Sequence, residues 1–293
     1  MIFRGASTAL ITPFHADFSV NWEKFAELIE RQIEGGIQAI IINGTTGEAS
    51  TLAKEERIDC LKFALDVTNR RVPIIAGTGS NNTAEAVAAT KAAQEAGADA
   101  ALMVTPYYNK TSQAGLIAHY THVADQTDIP ILLYAVPGRT SQPMTAETVV
   151  ELAKHPRIVG IKDATSDSAF AMDILRQVNN PRFALYSGND DVVVPYLAAG
   201  AVGVISTIGN LLPAPMQAIC AAAERGDWAL ARKIQFELLP VIQGIFSEVN
   251  PIGTKGGMNI MGLEVGLPRL PLVDMGKDTH AKLAQAIADY DSL

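Results

Sequence analysis

The sequence predicts an α/β protein, a (β/α)8 TIM barrel followed by a C-terminal helical extension, and three observations carry that expectation. Strand-like and helix-like patterns alternate eight times between residues 1 and 225. The strand-like runs are short and almost continuously apolar, as parallel strands buried on both faces must be. The competing fold, a doubly wound open sheet, announces itself by a glycine fingerprint after its first strand, and no G-x-G-x-x-G stands there.

Taken in order, the first strand is expected at Ala6–Ile11 and the first helix at Asn21–Glu34, stopped by Gly35-Gly36. Strand 2 is Ala39–Asn43, with a helix over Lys54–Thr68; strand 3 is Pro73–Gly77, with the Ala-rich helix Thr83–Ala96 closed by Gly97. Strand 4 covers Ala100–Thr105 before a helix at Ser112–Gln126, and strand 5 covers Ile129–Val136 before a helix at Ala146–His155. The sixth strand begins at Ile158 and carries Lys162, with a helix near Ser168–Val178. Strand 7 is Phe183–Ser187 with the helix Asp191–Ala199, and strand 8 is Val202–Ser206 with a helix near Pro215–Arg225. Helix-like stretches at Asp227–Phe246, Thr254–Met261 and Asp278–Asp291 then form the extension, residues 226–293, packed on the barrel of residues 1–225.

Composition narrows the class. At 293 residues and 48% hydrophobic, the chain can bury a large core. A net charge of −8 argues against a nucleic-acid surface, though local Arg and Lys can still receive a small anion. Cys60 and Cys220 sit in helix-like apolar segments without metal or redox spacing, as reduced core residues of a cytoplasmic protein do. No signal-peptide pattern opens the chain, and no apolar run reaches the ~20 residues that span a bilayer.

Barrels do their chemistry at the C-terminal ends of their strands. The sixth strand, Ile158-Val-Gly-Ile-Lys-Asp163, ends on a lone lysine. Alternation puts Ile158, Gly160 and Lys162 on one face, with Gly160 leaving open space beside the amine, and Val159, Ile161 and Asp163 on the other. Holding that amine neutral near pH 7 costs roughly 4–5 kcal/mol against a reference pKa of about 10.4, and desolvation supplies shifts of that kind. A neutral amine attacks carbonyls to form Schiff bases. A lysine that reaches water or pairs with Asp163 is the alternative. Gly44-Thr-Thr-Gly-Glu48, after strand 2, is either a carboxylate pocket of N–H and hydroxyl donors or a Gly-rich turn with Thr caps. Tyr134 lies in strand 5, about 4.8 Å from strand 6, so it can meet Lys162 as a proton shuttle or satisfy a core hydrogen bond. Arg139, just beyond, offers a planar fork for a carboxylate, or else makes a surface salt bridge. Thr105-Pro-Tyr-Tyr-Asn109, whose adjacent tyrosines read on their own as interface packing, follows strand 4, and Ser187-Gly-Asn-Asp190 and Ser206-Thr-Ile-Gly-Asn210 supply small residues and backbone groups around the mouth. Metal-ligating types are sparse at these ends and the histidines, His15 among them, are expected in solvent, so no metal or other cofactor is predicted.

These motifs, Gly44-Thr-Thr-Gly-Glu48, Pro106-Tyr-Tyr-Asn109, Tyr134-x-Val-Pro-Gly-Arg-Thr140 and Gly160-Ile-Lys-Asp-Ala164, together resemble the 4-hydroxy-tetrahydrodipicolinate synthase (dihydrodipicolinate synthase) family. That family lies within the class I pyruvate-dependent aldolase and lyase superfamily. The resemblance runs over the whole chain; the lysine and the Gly-Thr-Thr-Gly-Glu loop mark the superfamily, and Arg139 points to the synthase. It implies that pyruvate forms a Schiff base with Lys162 and that the enamine attacks aspartate 4-semialdehyde, giving 4-hydroxytetrahydrodipicolinate for diaminopimelate and lysine. It further implies Tyr134 as general acid/base, a relay through Thr45 to Tyr108 of a neighbouring subunit, and a homotetramer built as a dimer of dimers. Thr46 and the backbone near Ile205 would hold the pyruvate carboxylate, Arg139 the semialdehyde carboxylate, and Gly188 a further part of the substrate site.

Two stretches depart from the family pattern. Asp163-Ala-Thr-Ser-Asp167 lacks a glycine that members often carry, and Pro251-Ile-Gly-Thr-Lys-Gly-Gly257 differs from the usual Pro-Ile-Pro-x-Lys. Asn81, Glu85 and Tyr107 match the allosteric lysine pocket of inhibited members, but Lys54 and Arg57 stand where histidines are common. The extra cations should disfavour a lysine ammonium, so weak or absent feedback inhibition is expected. The alternatives are a sister lyase, such as N-acetylneuraminate lyase or a 2-keto-3-deoxy sugar acid aldolase, which generally lacks the arginine, or an inactive barrel kept for binding.

Overall fold

In the computed structural model, which describes residues 1–292, eight parallel strands close in sequence order, β1 pairing with both β2 and β8. The first half runs β1 (Gly5–Ala9), α1 (Trp22–Glu34), β2 (Ala39–Ile42), α2 (Lys54–Thr68), β3 (Ile74–Gly77), α3 (Thr83–Ala96), β4 (Ala100–Val104) and α4 (Gln113–Asp125). The second half runs β5 (Ile131–Ala135), the single turn α5 (Pro137–Thr140), α6 (Ala146–Leu152), β6 (Ile158–Asp163), α7 (Ser168–Gln177), β7 (Ala184–Ser187), α8 (Val193–Ala199), β8 (Gly203–Ser206) and α9 (Pro213–Glu224). Beyond it lie α10 (Trp228–Ile245), α11 (Ile252–Ile260) and α12 (Lys277–Asp291); Leu293, the last residue assigned to the extension, lies outside the described residues.

The sequence chemistry explains these elements. In β2 the run Ala-Ile-Ile-Ile is buried throughout, Ile41 facing the barrel interior with Ile75 and Leu102 while Ile40 and Ile42 pack outward under the helices. That two-sided burial is why the strands lack an alternating polar face. Helices start at side-chain caps: Asn21 accepts from the Lys24 N–H, Asn82 from Ala84 and Ser112 from Gly115. At its N-terminal end the barrel is plugged by Phe3 stacked on Tyr186, ring centroids 4.3 Å apart, with the Tyr186 hydroxyl donating to the Phe3 carbonyl at 2.8 Å.

Strand β6 departs from simple alternation. Ile131 pairs with Ile158 but Leu132 pairs with Gly160, so Val159 is an extra residue in the ladder. The bulge turns Ile158 outward beside Ile161, rather than inward with Lys162. Nor does Gly160 leave open space: a Cβ there would stand 2.4 Å from the Ala184 carbonyl oxygen and 2.9 Å from Leu132 Cδ2. The glycine permits close strand contact beneath the lysine instead. His119 also departs from its solvated expectation, being buried with Nδ1 3.0 Å from the Thr83 hydroxyl.

Candidate active site

Lys162 and Tyr134 are register partners on β6 and β5, and the lysine Nζ lies 4.5 Å from the centre of the tyrosine ring. Both are buried, at 5% and 8% exposure. The neighbouring carboxylates make their hydrogen bonds to groups other than Lys162. Asp163 faces outward, one oxygen accepting from the Thr165 N–H and hydroxyl and the other from the Tyr196 hydroxyl at 2.9 Å. Asp190, just after β7, accepts from the Thr207 and Ile208 N–H groups at 2.9 and 2.8 Å, and so ties the ends of β7 and β8 together. Burial pushes both carboxyls above the usual range, against the donors that pull them down. The pairing of Lys162 with Asp163 that the sequence left open is therefore not made.

Above these strands opens a cavity of about 300 Å³. Its wall includes Lys162, Tyr134, Thr45, Thr46, Arg139 and Gly188, and also Tyr107 from the expected allosteric set, so seven of the predicted site residues meet in one space. Thr46 is buried in the loop after β2, and its hydroxyl accepts from the Asn250 side-chain amide at 2.8 Å. Arg139 sits on the exposed turn α5 and donates through Nη2 to the Asn250 carbonyl at 3.1 Å. The loop itself is held from below: Thr12 donates to the Gly47 carbonyl at 2.7 Å, and Glu48 is buried in an ion pair with Lys255 of α11 at 2.6 Å.

Tyr108, Ile205, Glu85 and Asn81 fall outside that wall. Tyr108 is 91% exposed and outside the cavity wall, whereas its neighbour Tyr107 lines it. Ile205 is fully buried in β8 among the interior side chains, one layer below the mouth, where Thr207 forms the wall. Glu85 stands at the start of α3, its carboxylate 3.8 Å from the Lys54 amine, and the Asn81 carbonyl accepts from Asn109 at 3.0 Å. Sequence reasoning missed Asn250, Asn43 and Arg57 as parts of the wall. A lone asparagine before a proline gives no signal of its own; only the fold brings it to the loop after β2.

The sequence model of the dihydrodipicolinate synthetase family matches residues 2–290. A 4-hydroxy-tetrahydrodipicolinate synthase of Exiguobacterium sibiricum is 49% identical over 99% of this chain and 98% of its own length. Among solved structures, the chloride-inhibited dihydrodipicolinate synthase of Acinetobacter baumannii complexed with pyruvate is 41% identical, covers 100% of both chains and superposes with a TM-score of 0.97. The Cyanidioschyzon merolae enzyme with lysine bound is 35% identical, covers 100% of this chain and 99% of its own, and gives a TM-score of 0.96. With a barrel, a buried strand-6 lysine and matches of this extent, the chain belongs to the dihydrodipicolinate synthetase family.

Proposed function

We propose that the chain condenses pyruvate with L-aspartate 4-semialdehyde through a Schiff base on Lys162, giving 4-hydroxytetrahydrodipicolinate for diaminopimelate and lysine synthesis. The observation that carries this reading is the buried Lys162 amine set against Tyr134 in a cavity whose rim holds Thr45, Thr46 and Arg139. The amine adds to the pyruvate ketone, and loss of water leaves the imine. Removal of a methyl proton gives the enamine, whose carbon attacks the aldehyde. The amino group of the joined semialdehyde then displaces Lys162 as the ring closes. Tyr134 serves the proton transfers, with Thr45 relaying to Tyr108. Thr46 and the backbone around Ile205 and Gly188 hold the pyruvate end, and Arg139 grips the semialdehyde carboxylate. The family match and the names of the relatives support this chemistry. Arg139 at the mouth favours it over a sister lyase acting on sialic acid or a 2-keto-3-deoxy sugar acid.

We further infer that the barrel, residues 1–225, carries the chemistry with residues 226–293 buttressing it, and that the protein works in the cytoplasm as a homotetramer, a dimer of dimers. The exposure of Tyr108 supports the oligomer, and the buried, unpaired Cys60 and Cys220 support a reducing compartment. Among the described residues no helix is long and apolar enough to cross a membrane.

The test joins borohydride trapping with pyruvate to turnover coupled to a downstream reductase. Wild-type protein should show both, and Lys162→Ala neither. Arg139→Ala should still trap pyruvate while its KM for the semialdehyde rises about a hundredfold, the scale of a lost charged hydrogen-bonded clamp. An adduct on Lys162 without turnover of the semialdehyde would point to a sugar-acid lyase; no adduct at all would remove the Schiff-base reading.

A further inference from the structure

We propose that Asn250, contributed by the segment between α10 and α11, is a positioning residue that couples the two carboxylate clamps and orients the Thr46 hydroxyl toward the pyruvate carboxylate. The inference rests on the assignment of Thr46 and Arg139 as those clamps. Asn250 is 6% exposed, lines the cavity and uses its side-chain nitrogen, its side-chain oxygen and its backbone carbonyl toward three different partners. Its side-chain amide donates to Thr46 Oγ1 at 2.8 Å, its side-chain oxygen accepts from the Thr254 hydroxyl at 2.9 Å, and its backbone carbonyl accepts from Arg139 Nη2 at 3.1 Å.

A hydroxyl has one hydrogen and two lone pairs. Because the Asn250 amide fills a lone pair of Thr46 Oγ1, the Thr46 hydrogen cannot point back at that amide and must seek another acceptor. The cavity side is where a substrate carboxylate supplies one. Thr254, on α11, donates its hydroxyl to the Asn250 side-chain oxygen, the arrangement in which the amide nitrogen faces Thr46. The same residue anchors Arg139. Standing on an exposed single turn, that long side chain would otherwise sample many rotamers; a fixed Nη2 leaves its remaining donors facing the second carboxylate, with less freedom to lose on binding. One asparagine thus sets both the polarity of the first clamp and the place of the second.

The experiment measures the pyruvate concentration for half-maximal borohydride trapping of Lys162, which reports the first clamp before any aldehyde is present. In Asn250→Ser and Asn250→Asp that concentration should rise about tenfold or more, while the rate constant for trapping at saturating pyruvate stays within threefold. In a Thr46→Val background the Asn250 substitutions should add less than twofold, because the hydroxyl they orient is gone; in a Thr46→Ser background the tenfold rise should persist. An equal effect of the Asn250 substitutions with and without the Thr46 hydroxyl overturns the proposal, since general loosening of the site would act in both. If the Asn250 variants fail to fold, Thr254→Val keeps Asn250 and removes only the hydroxyl that fixes its amide; half-saturation should then rise severalfold, and no rise overturns the proposal. Wild-type protein that traps pyruvate while position 250 proves silent overturns the Asn250 role alone. Wild-type protein that forms no adduct overturns the condensation reading and this role with it.

Discussion

Lys54 and Glu85 meet across the gap between α2 and α3 at 3.8 Å, with side chains 74% and 53% exposed. So exposed a pair contributes little to stability, about 0–1 kcal/mol. Its consequence is electrostatic occupancy: a carboxylate suited to an incoming ammonium already has a cation beside it, and Arg57 adds another at the nearby cavity wall. Each unit charge about 4 Å away opposes a lysine ammonium by about 1 kcal/mol in water. We therefore expect millimolar L-lysine to leave the initial rate within twofold of its uninhibited value, and Lys54→His to tighten inhibition at least fivefold. A micromolar inhibition constant for the unaltered protein would remove the argument. At this scale, what could be read without a fold was the residue that breaks its own context. Lys162 and Tyr134 each interrupt an apolar strand. Asn250 interrupts nothing, and its partner Thr46 is 204 residues away in the chain, so its role existed only after the barrel closed.

Helix α11 is fastened to the mouth through charges buried in apolar surroundings. Lys255 and Glu48 are each 1% exposed at the side chain and 2.6 Å apart, and the second Glu48 oxygen accepts the Arg269 N–H at 2.8 Å. Arg269 in turn reaches Glu56 in the first turn of α2, with its guanidinium 4.4 Å from the Phe14 ring centre. Breaking such a pair strands a charge. Lys255→Met should cost about 3–5 kcal/mol in chemical denaturation, and adding Glu48→Gln should recover part of the loss. Burial lowers the Lys255 amine to about 8, with Glu48 opposing the shift, from its ordinary 10.5. Between those values the unfolded chain holds a proton that the folded one has released, so this group's contribution is full above pH 10.5 and fades as pH falls through 8. The unfolding free energy of the wild type should therefore climb more steeply with pH across that interval than that of Lys255→Met; equal slopes would refute the assignment. The ends of α2 and α3 coincide with expectation, those of α3 bracketed by the Asn82 cap and by Gly97. The bulge at Val159 and the turn α5 were not legible in the sequence, because one extra residue leaves no mark in an apolar run and Pro-Gly looks like any turn. The departure at Gly253 has a packing reason: a Cβ there would lie 2.2 Å from the Ile245 carbonyl oxygen, so the start of α11 can meet the end of α10 only without a side chain.

For the molecule as a whole, the unresolved demand is Tyr108. It is 91% exposed and held at φ 68°, a left-handed conformation that costs a non-glycine residue about 1–2 kcal/mol. Burying such a ring gains about as much or more, so a contact with a second subunit can offset the strain that solvent exposure does not. The proposed relay through Thr45 would need the same contact, since Tyr108 is absent from the cavity wall of its own chain. Subunit complementation separates a neighbour's tyrosine from one that folds back. Lys162→Ala and Tyr108→Phe should each abolish or severely depress turnover, although Tyr108→Phe leaves the ring and the backbone conformation in place. In a mixed pair, the Tyr108→Phe subunit keeps its lysine and receives the intact tyrosine of its Lys162→Ala partner, which restores one complete site of two. Random reassociation makes half of the pairs mixed in a closed two-fold assembly, so equal amounts of the two variants, dissociated and reassembled together, should recover about a quarter of wild-type activity. If Tyr108 serves only its own chain, no mixture contains a complete site beyond those of the parents, and the activity of the mixture stays at their average.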